Sequence, residues 1–305
     1  MIVIATSDKG GTGRSVSSGN LAYRLSTAGQ SVAYLDFDFG APTAGAIFEI
    51  GSAQRGVSGG AGLHSYLLGR NTTAAQIDVY AATDRVTLRK QRHRRGRLVL
   101  LPGDEGGGQL ARADQHDAIT RCAALLLELQ HAFQTCIIDL SGGRSIAMEV
   151  VLRATALPQM RESRMRWIVF HRWTRQHIVA TSGLVHGPHG LLESGAAYGH
   201  DPTKLLESIR YVRTLVPAAN ELGATTAAGA VWIQEQNHGL KRLASTARLG
   251  ASVVLGEIPF DSLLQWREQI ILDADVAAGL AKGETVDAFQ QLGRRLFDDA
   301  TWETL

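Results

Sequence analysis

The start of the chain constrains the fold more than any other part of it. An apolar run, residues 1–6, stops at the glycine-rich segment 7–13, and a helical pattern follows that ends near Gly29. A second apolar run, residues 31–35, then leads into Asp36-Phe37-Asp38. The order strand, glycine loop, helix, strand is the beginning of a βαβ unit. It predicts a parallel sheet rather than a hairpin.

Later apolar runs extend this alternation to the end of the chain. The further predicted strands are residues 98–102, 135–140, 167–171, 229–234 and 252–258. Helical segments separate them, and residues 117–133 form the most regular of these helices. Repeated strand–helix alternation is typical of an α/β fold, here a doubly wound, mostly parallel sheet with helices on both faces.

The patterns continue without a linker, so we expect residues 1–305 to form one domain. Two segments interrupt the regular pattern. Residues 51–62 are rich in glycine and serine and are expected to form a mobile surface loop. Residues 89–97 form a dense basic segment in front of a predicted strand.

Composition adds few constraints on function. The formal net charge is +2, which makes no general case for nucleic acid. No apolar run reaches the roughly 18–20 residues of a membrane span, and the first residues lack the pattern of a secretory signal. The two cysteines fall on an apolar helical stripe and in a strand, which favours buried thiols. We therefore expect a cytoplasmic protein without membrane attachment.

Residues 8–15 carry the strongest functional pattern in the sequence. A loop of small residues between a strand and a helix leaves backbone N–H groups free for an anion, and the helix N-terminus adds partial positive charge. Ser15 occupies the place where a phosphate loop provides a hydroxyl for Mg²⁺. The pattern departs from the general phosphate loop at two positions. Asp8 stands where the first glycine is usual, and Arg14 stands where lysine is usual.

Lys9-Gly10-Gly11-Thr12-Gly13-Arg14-Ser15 resembles the deviant Walker A motif of the ParA/MinD ATPases, apart from its arginine. The resemblance implies ATP and Mg²⁺ as cofactors and a nucleotide-dependent homodimer. It also implies that Lys9 reaches the phosphates bound by the partner subunit. The nucleotide contacts implied within the loop are Gly10, Gly11, Thr12, Gly13, Arg14 and Ser15.

Three aspartates follow predicted strands at the edge where a parallel sheet binds its ligands. Asp36 and Asp38 lie in a segment, residues 36–43, that resembles the first switch of the same family. Residues 137–143 resemble its second switch and contain Asp139 and Gly142. The resemblance implies that Asp38 positions the attacking water and that Asp36 and Asp139, with Ser15, hold the magnesium ion. It also implies that the backbone of Gly142 senses the γ-phosphate.

The C-terminal part gives weaker indications of a base site. Residues 255–261 resemble the family's loop near the adenine, which places Pro259 beside the base. Gln234, at the end of a predicted strand, stands near the position where the family often has an asparagine for the base. The loop with Arg14 and the segment 36–43 together also resemble an actinobacterial group of variant P-loop proteins.

The sequence leaves two functions open. The first is a dimeric switch that hydrolyses ATP slowly and positions or regulates an unidentified protein partner. The second is a pseudo-ATPase, a scaffold that holds nucleotide without turnover, which Arg14 favours because a planar guanidinium cannot replace a lysine's point charge. The segment 89–97 is consistent with nonspecific DNA binding or with a solvated hairpin tip. Histidines between residues 171 and 200 match no usual metal spacing.

Overall fold

A computed structural model describes residues 1–91, 96–108, 115–216 and 227–303. Within these ranges eight strands form one sheet. They are β1 (Ile2–Thr6), β2 (Val32–Phe37), β3 (Ile77–Asp78), β4 (Leu98–Leu101), β5 (Thr135–Leu140), β6 (Met165–Arg172), β7 (Ile209–Val216) and β8 (Val254–Pro259). The strand order is β3-β4-β2-β5-β1-β6-β7-β8, and every pair is parallel except β3 with β4. The predicted doubly wound α/β fold is confirmed.

Helices follow most strands, as the parallel order requires. In the described ranges they are α1 (Arg14–Thr27), α2 (Ala44–Ile47), α3 (Leu63–Leu67), α4 (Val79–Ala82), α5 (Val86–Arg89), α6 (Gln115–Ala132), α7 (Ile146–Ala156), α8 (Arg175–His186), α9 (Leu191–Tyr198), α10 (Pro202–Glu207), α11 (Ala227–Thr246), α12 (Ser262–Trp266), α13 (Asp273–Ala277), α14 (Gly283–Phe297) and α15 (Ala300–Glu303). Short 3₁₀ helices occupy Gly51–Ala53, Pro158–Met160 and Ala251–Val253.

Alternate residues of each central strand face two separate hydrophobic cores. On β1, Ile2 and Ile4 join the core under α6 to α9, whereas Val3 and Ala5 join the core under α1 and α14. All five residues of β1 are buried, because helices cover both faces of the sheet. The apolar run at the start of the chain therefore has no exposed face.

The strand order predicts a ligand site at the carboxyl end of β1. The connection from β1 leads to β2, which lies on one side of β1 in the sheet. The connection from β5 leads to β6, which lies on the other side of β1. Ligands of open parallel sheets bind where the connections diverge in this way. The register aligns Ala5, Asp139 and Asp36 across three neighbouring strands at this end of the sheet.

The predicted secondary structure differs from the observed one in three details. The predicted strand 229–234 lies inside α11, where Val231 and Trp232 are more than half exposed. A short apolar run cannot be assigned to strand or helix by its pattern alone, and here it is not in the core. The strand predicted at 252–258 begins only at Val254, after a 3₁₀ turn, and β7 was not predicted.

The glycine-rich segment 51–62 contacts the body of the protein at several points. Ala53 is buried, and Val57 forms a bridge with Asp104. A β-carbon on Gly62 would lie 2.4 Å from the carbonyl carbon of Gly103. Glycine is needed there because two backbone segments pass so close to each other.

Candidate functional site

The loop between β1 and α1 has the backbone geometry of an anion site. Gly11 and Gly13 have φ angles of +71° and +73°, which residues with a β-carbon rarely adopt. Gly13 is the N-cap of α1, whose first turn carries a partial positive charge. Within the described residues, the backbone N–H groups of residues 10–15 have no hydrogen-bond partner. Such groups at a helix N-terminus suit phosphate oxygens.

Neighbouring strands hold the loop in place. The Thr214 hydroxyl, on β7, donates a hydrogen bond of 2.6 Å to the carbonyl oxygen of Thr12. The N–H of Gly143, after β5, donates to the carbonyl oxygen of Ser7 at 2.7 Å. Both bonds use carbonyl groups, so they fix the loop without consuming its N–H donors.

Gly142 lies directly against the loop. A β-carbon on it would be 3.2 Å from the carbonyl carbon of Lys9 and 3.3 Å from the nitrogen of Gly10. A side chain there would press on the loop backbone. The structure therefore brings the second-switch glycine to the phosphate loop, in the neighbourhood that the sequence predicts.

The Arg14 side chain lies among the acidic and hydroxyl groups beside the loop. Its Nε donates to Asp139 Oδ1 at 2.6 Å, and its Nη1 donates to Ser7 Oγ at 3.3 Å. Its Nη2 lies 3.1 Å from Ser15 Oγ and 3.5 Å from Asp38 Oδ2. Only 7% of the Arg14 side chain is exposed. The guanidinium thus links three of the side chains to which the sequence gives catalytic or metal-binding roles.

Both carboxylate oxygens of Asp139 have protein donors. Arg14 Nε donates a hydrogen bond to Oδ1, and the hydroxyl of Tyr34 donates to Oδ2 at 2.9 Å. The same hydroxyl lies 2.8 Å from Ser18 Oγ, so it belongs to a buried network between β2, β5 and α1. Asp139 is 2% exposed. Its hydrogen-bonding geometry is therefore set by protein groups.

The charges of this cluster stabilise the guanidinium. Burial opposes the charge on Arg14, but the nearby carboxylates of Asp139 and Asp38 outweigh it and raise the pKa of Arg14 above its ordinary value. Burial, followed by the charge of Asp139, raises the pKa of Tyr34 well above 10. Tyr34 is therefore a neutral hydrogen-bond donor at physiological pH.

Asp36 holds the backbone of the first switch segment. Its Oδ1 accepts the N–H of Asp38 at 3.2 Å, and its Oδ2 accepts the N–H of Ala44 at 3.0 Å. Burial first, and the charge of Asp139 second, raise the pKa of Asp36 to about 7. The side chain expected to support the magnesium shell thus anchors the turn between β2 and α2.

Asp38 is the most exposed of the three aspartates. Its side chain is 27% exposed, and its contact with Arg14 is the longest of the Arg14 contacts. Burial raises the pKa of Asp38, although the charge of Arg14 opposes this. Of the candidate catalytic carboxylates, Asp38 is therefore the best placed to reach a ligand from solvent.

The candidate metal ligands do not fit a magnesium ion in this arrangement. Mg²⁺ requires oxygen ligands at about 2.0–2.1 Å in near-octahedral geometry, with their lone pairs directed at the metal. Ser15 Oγ instead contacts Arg14 Nη2, and both oxygens of Asp139 accept hydrogen bonds from Arg14 and Tyr34. The two oxygens of Asp36 accept backbone N–H groups. A guanidinium, not a space for a cation, lies among these residues.

Lys9 lies at the rim of the loop. It is half-buried, and within the described residues its Nζ has no hydrogen-bond or ion-pair partner. Its charge contributes to a lowered pKa of His177, after burial and the charge of Arg172. The Lys9 side chain is therefore close to the N-terminus of α8.

The two residues predicted to contact the base lie in different environments. Pro259 ends β8 and lines a surface groove of about 720 Å³ along that edge of the sheet, with Val216 and Glu257 among its walls. Gln234 is exposed on α11 rather than at a strand end. Because the predicted strand does not exist, the argument that gave Gln234 a base contact no longer holds.

The basic segment 89–97 falls partly outside the described residues, since residues 92–95 are not among them. Arg89 and Lys90 are exposed at the end of α5. The Arg97 guanidinium lies over the Phe133 ring, 4.6 Å from its centroid. DNA binding by this segment stays a prediction.

No helix among the described residues has the length and apolarity to cross a bilayer.

The histidines between residues 171 and 200 have separate partners. His171 Nδ1 lies 3.1 Å from the carbonyl oxygen of Arg172, and His186 Nε2 lies 3.1 Å from the Tyr211 hydroxyl. No cluster of three or more histidine, cysteine or acidic metal ligands occurs in the ranges that the structure describes.

Three residues of the site are not predicted from the sequence: Tyr34, Ser7 and Thr214. Tyr34 precedes Asp36 by two residues on β2, so both side chains face the same side of the sheet. That periodicity was the available signal for Tyr34. No sequence signal connects Thr214 with the loop, because the contact joins residues 202 positions apart.

Several solved structures share this architecture. MinD from Pyrococcus horikoshii, complexed with Mg-ADP, matches with a TM-score of 0.54 and 14% identity, over 98% of this chain and 98% of its own. McdA from Cyanothece, solved with ATP, matches with a TM-score of 0.60 and 14% identity, over 97% and 95%. The Aquifex aeolicus MinC:MinD complex provides a match with a TM-score of 0.57 and 16% identity, over 97% and 95%.

No protein-family model and no curated protein matches the sequence. At 14–16% identity the structural matches concern the arrangement of the backbone. They cover nearly the whole of both chains. The chain has the fold of the ParA, MinD and McdA ATPases.

Proposed function

We propose that this protein is an ATP-binding switch or scaffold of the ParA/MinD fold that holds nucleotide without turnover. The observation that carries the proposal is the set of unpartnered N–H groups at residues 10–15, at the N-terminus of α1. They provide an anion site that does not depend on the side chain of Arg14. Absence of turnover is proposed because Arg14 contacts Asp38, the candidate for positioning the attacking water.

Adenine nucleotides are proposed as ligands on two grounds. The loop suits a chain of phosphates, and structures of the same fold contain Mg-ADP or ATP. The groove that Pro259 lines runs along β8, and the end of it beside Pro259 is proposed to hold the base. A protein partner is proposed because a MinD of this fold was solved in complex with MinC.

The first test is a pair of substitutions at Gly10, which is exposed and has open space where a β-carbon would be placed. Gly10→Asp adds a negative charge beside the phosphates, and Gly10→Asn adds nearly the same volume without the charge. We expect Gly10→Asp to bind ATP at least tenfold more weakly than Gly10→Asn, a difference of about 1.4 kcal/mol. Isothermal titration calorimetry measures both. Equal affinities would contradict phosphate binding at this loop.

The second test concerns dimerisation. We propose that Lys9 reaches the phosphates bound by a second copy of the chain, since its Nζ has no hydrogen-bond or ion-pair partner in the part of the chain that the structure describes. Lys9→Ala is expected to stay monomeric at an ATP concentration that dimerises the wild type, as measured by light scattering after size exclusion. Lys204→Ala, which removes an exposed lysine from α10, is the matched control and should dimerise. A wild type that is monomeric with saturating ATP would count against the proposed switch.

The second candidate function is a slow ATPase of the same fold. The observation that favours it is the 27% exposure of Asp38, which leaves one carboxylate accessible from solvent beside the loop. Phosphate release from ATP by the wild type, abolished in Asp38→Asn with ATP affinity retained, would favour this function over the first.

A further inference from the structure

The Arg14 guanidinium has four oxygen neighbours from three parts of the fold. They are the hydroxyls of Ser7 and Ser15 and the carboxylates of Asp38 and Asp139. Ser15 and Asp139 are the residues that would otherwise be the direct or nearest ligands of a magnesium ion. The Arg14 guanidinium, a cation that belongs to the chain itself, therefore contacts the same oxygens that a metal ion would need as ligands.

The surroundings make this arrangement difficult to displace. Arg14 and Asp139 are 7% and 2% exposed, and their contact of 2.6 Å is a charge-assisted hydrogen bond. Tyr34 holds the second oxygen of Asp139 from the other side. A divalent ion entering here would have to break the buried ion pair and turn the Asp139 carboxylate away from two donors. Removing one partner of such a pair leaves a buried charge without compensation.

We infer that the Arg14 guanidinium takes the place of the divalent cation in this site and that the protein binds ATP without requiring Mg²⁺. The inference rests on the proposed function, since it presupposes nucleotide at the loop. A guanidinium has five N–H donors, and the four oxygen contacts leave at least one for a phosphate oxygen. Arginine suits this role better than lysine because its donors are spread over a planar fork.

The experiment compares ATP binding in excess MgCl₂ with binding in excess EDTA at matched ionic strength, by isothermal titration calorimetry of the full chain. The expected result for the wild type is a Kd that differs by less than twofold between the two buffers. An ATP affinity at least tenfold weaker in EDTA would overturn the inference and leave the proposed function standing. No binding in either buffer would overturn both.

The variant that isolates the guanidinium is Arg14→Lys. Arg14 reaches Asp139, Ser7 and Ser15 from three separate nitrogens, whereas the three donors of a lysine lie on one nitrogen and do not span these oxygens in the same way, so the candidate metal ligands become available. We expect this variant to bind ATP at least tenfold more tightly with Mg²⁺ than with EDTA. A variant as indifferent to Mg²⁺ as the wild type would overturn the role given to Arg14.

Arg24→Lys provides the matched control. Arg24 is a buried arginine on the same helix, with an ion pair of 2.5 Å to Asp273, but it is remote from the loop along α1. The Arg24→Lys variant should bind ATP with the affinity of the wild type in both buffers. Metal dependence that appears in Arg24→Lys as well would trace to altered packing of α1 and would overturn the assignment to Arg14.

Discussion

Replacing Arg14 with methionine is expected to lower the free energy of unfolding of the nucleotide-free protein by about 3–5 kcal/mol. The substitution leaves Asp139, which is 2% exposed, with Tyr34 as its remaining side-chain donor and with no cation beside it. A buried carboxylate in that position loses most of the compensation for its desolvation. Urea unfolding followed by circular dichroism, extrapolated linearly to zero denaturant, measures the change.

Two further variants make this result specific to the buried pair. Arg14→Met combined with Asp139→Asn removes both charges and should recover part of the stability that the single substitution loses. Arg267→Met breaks the ion pair with Glu49, in which Arg267 is 60% exposed, and should cost less than about 1 kcal/mol. If Arg14→Met were no more destabilising than Arg267→Met, the buried ion pair would not be a structural element of this site.

The second large effect is expected at Gly45, in the first turn of α2. A β-carbon there would lie 1.9 Å from the carbonyl oxygen of Ala53 and 2.5 Å from its carbonyl carbon. These are backbone atoms, which cannot move aside as a flexible side chain can. Gly45→Ala should therefore lower the free energy of unfolding by about 2–3 kcal/mol. Alanine's better helix propensity, worth about 1 kcal/mol, does not offset the clash.

The same substitution should also disturb the first switch segment. Moving α2 away from residue 53 pulls the N–H of Ala44 from Asp36 Oδ2, a bond of 3.0 Å. Gly40→Ala is the control, because Gly40 is exposed in the same segment and a β-carbon there meets no atom within 4 Å. It should change the stability by less than about 0.5 kcal/mol. Equal stability of the two variants would show that the contact between residues 45 and 53 is not tight in solution.

The sequence was sufficient to predict those elements whose structure depends on residues adjacent along the chain. Strands β1 and β2 and the loop between β1 and α1 were predicted because an apolar run, a set of glycines and a helical pattern follow one another directly. The positions of Asp36 and Asp139 at neighbouring strand ends were also predicted, since parallel strands bring their carboxyl ends to one edge of the sheet. The fold class followed from the same alternation.

The residues between 172 and 254 were predicted least well. The run at 229–234 was assigned to a strand, yet it lies in α11 with Trp232 59% exposed. The true strand β7, Ile209–Val216, includes Arg210 and Arg213, which are buried although their side chains are charged. An apolar run indicates a buried strand, and here the buried residues Arg210, Arg213 and Thr214 interrupt that run.

The sequence by itself determined that this chain is an α/β protein with a glycine-rich loop between its first strand and its first helix, because that information lies in residues adjacent along the chain. Only the tertiary structure decided what Arg14 contacts. Its partners Ser7 and Ser15 are near in sequence, but Asp139 lies 125 residues away. Burial between two strands makes the pairing with Asp139 favourable, because in a site closed to water a carboxylate and a guanidinium compensate each other's desolvation.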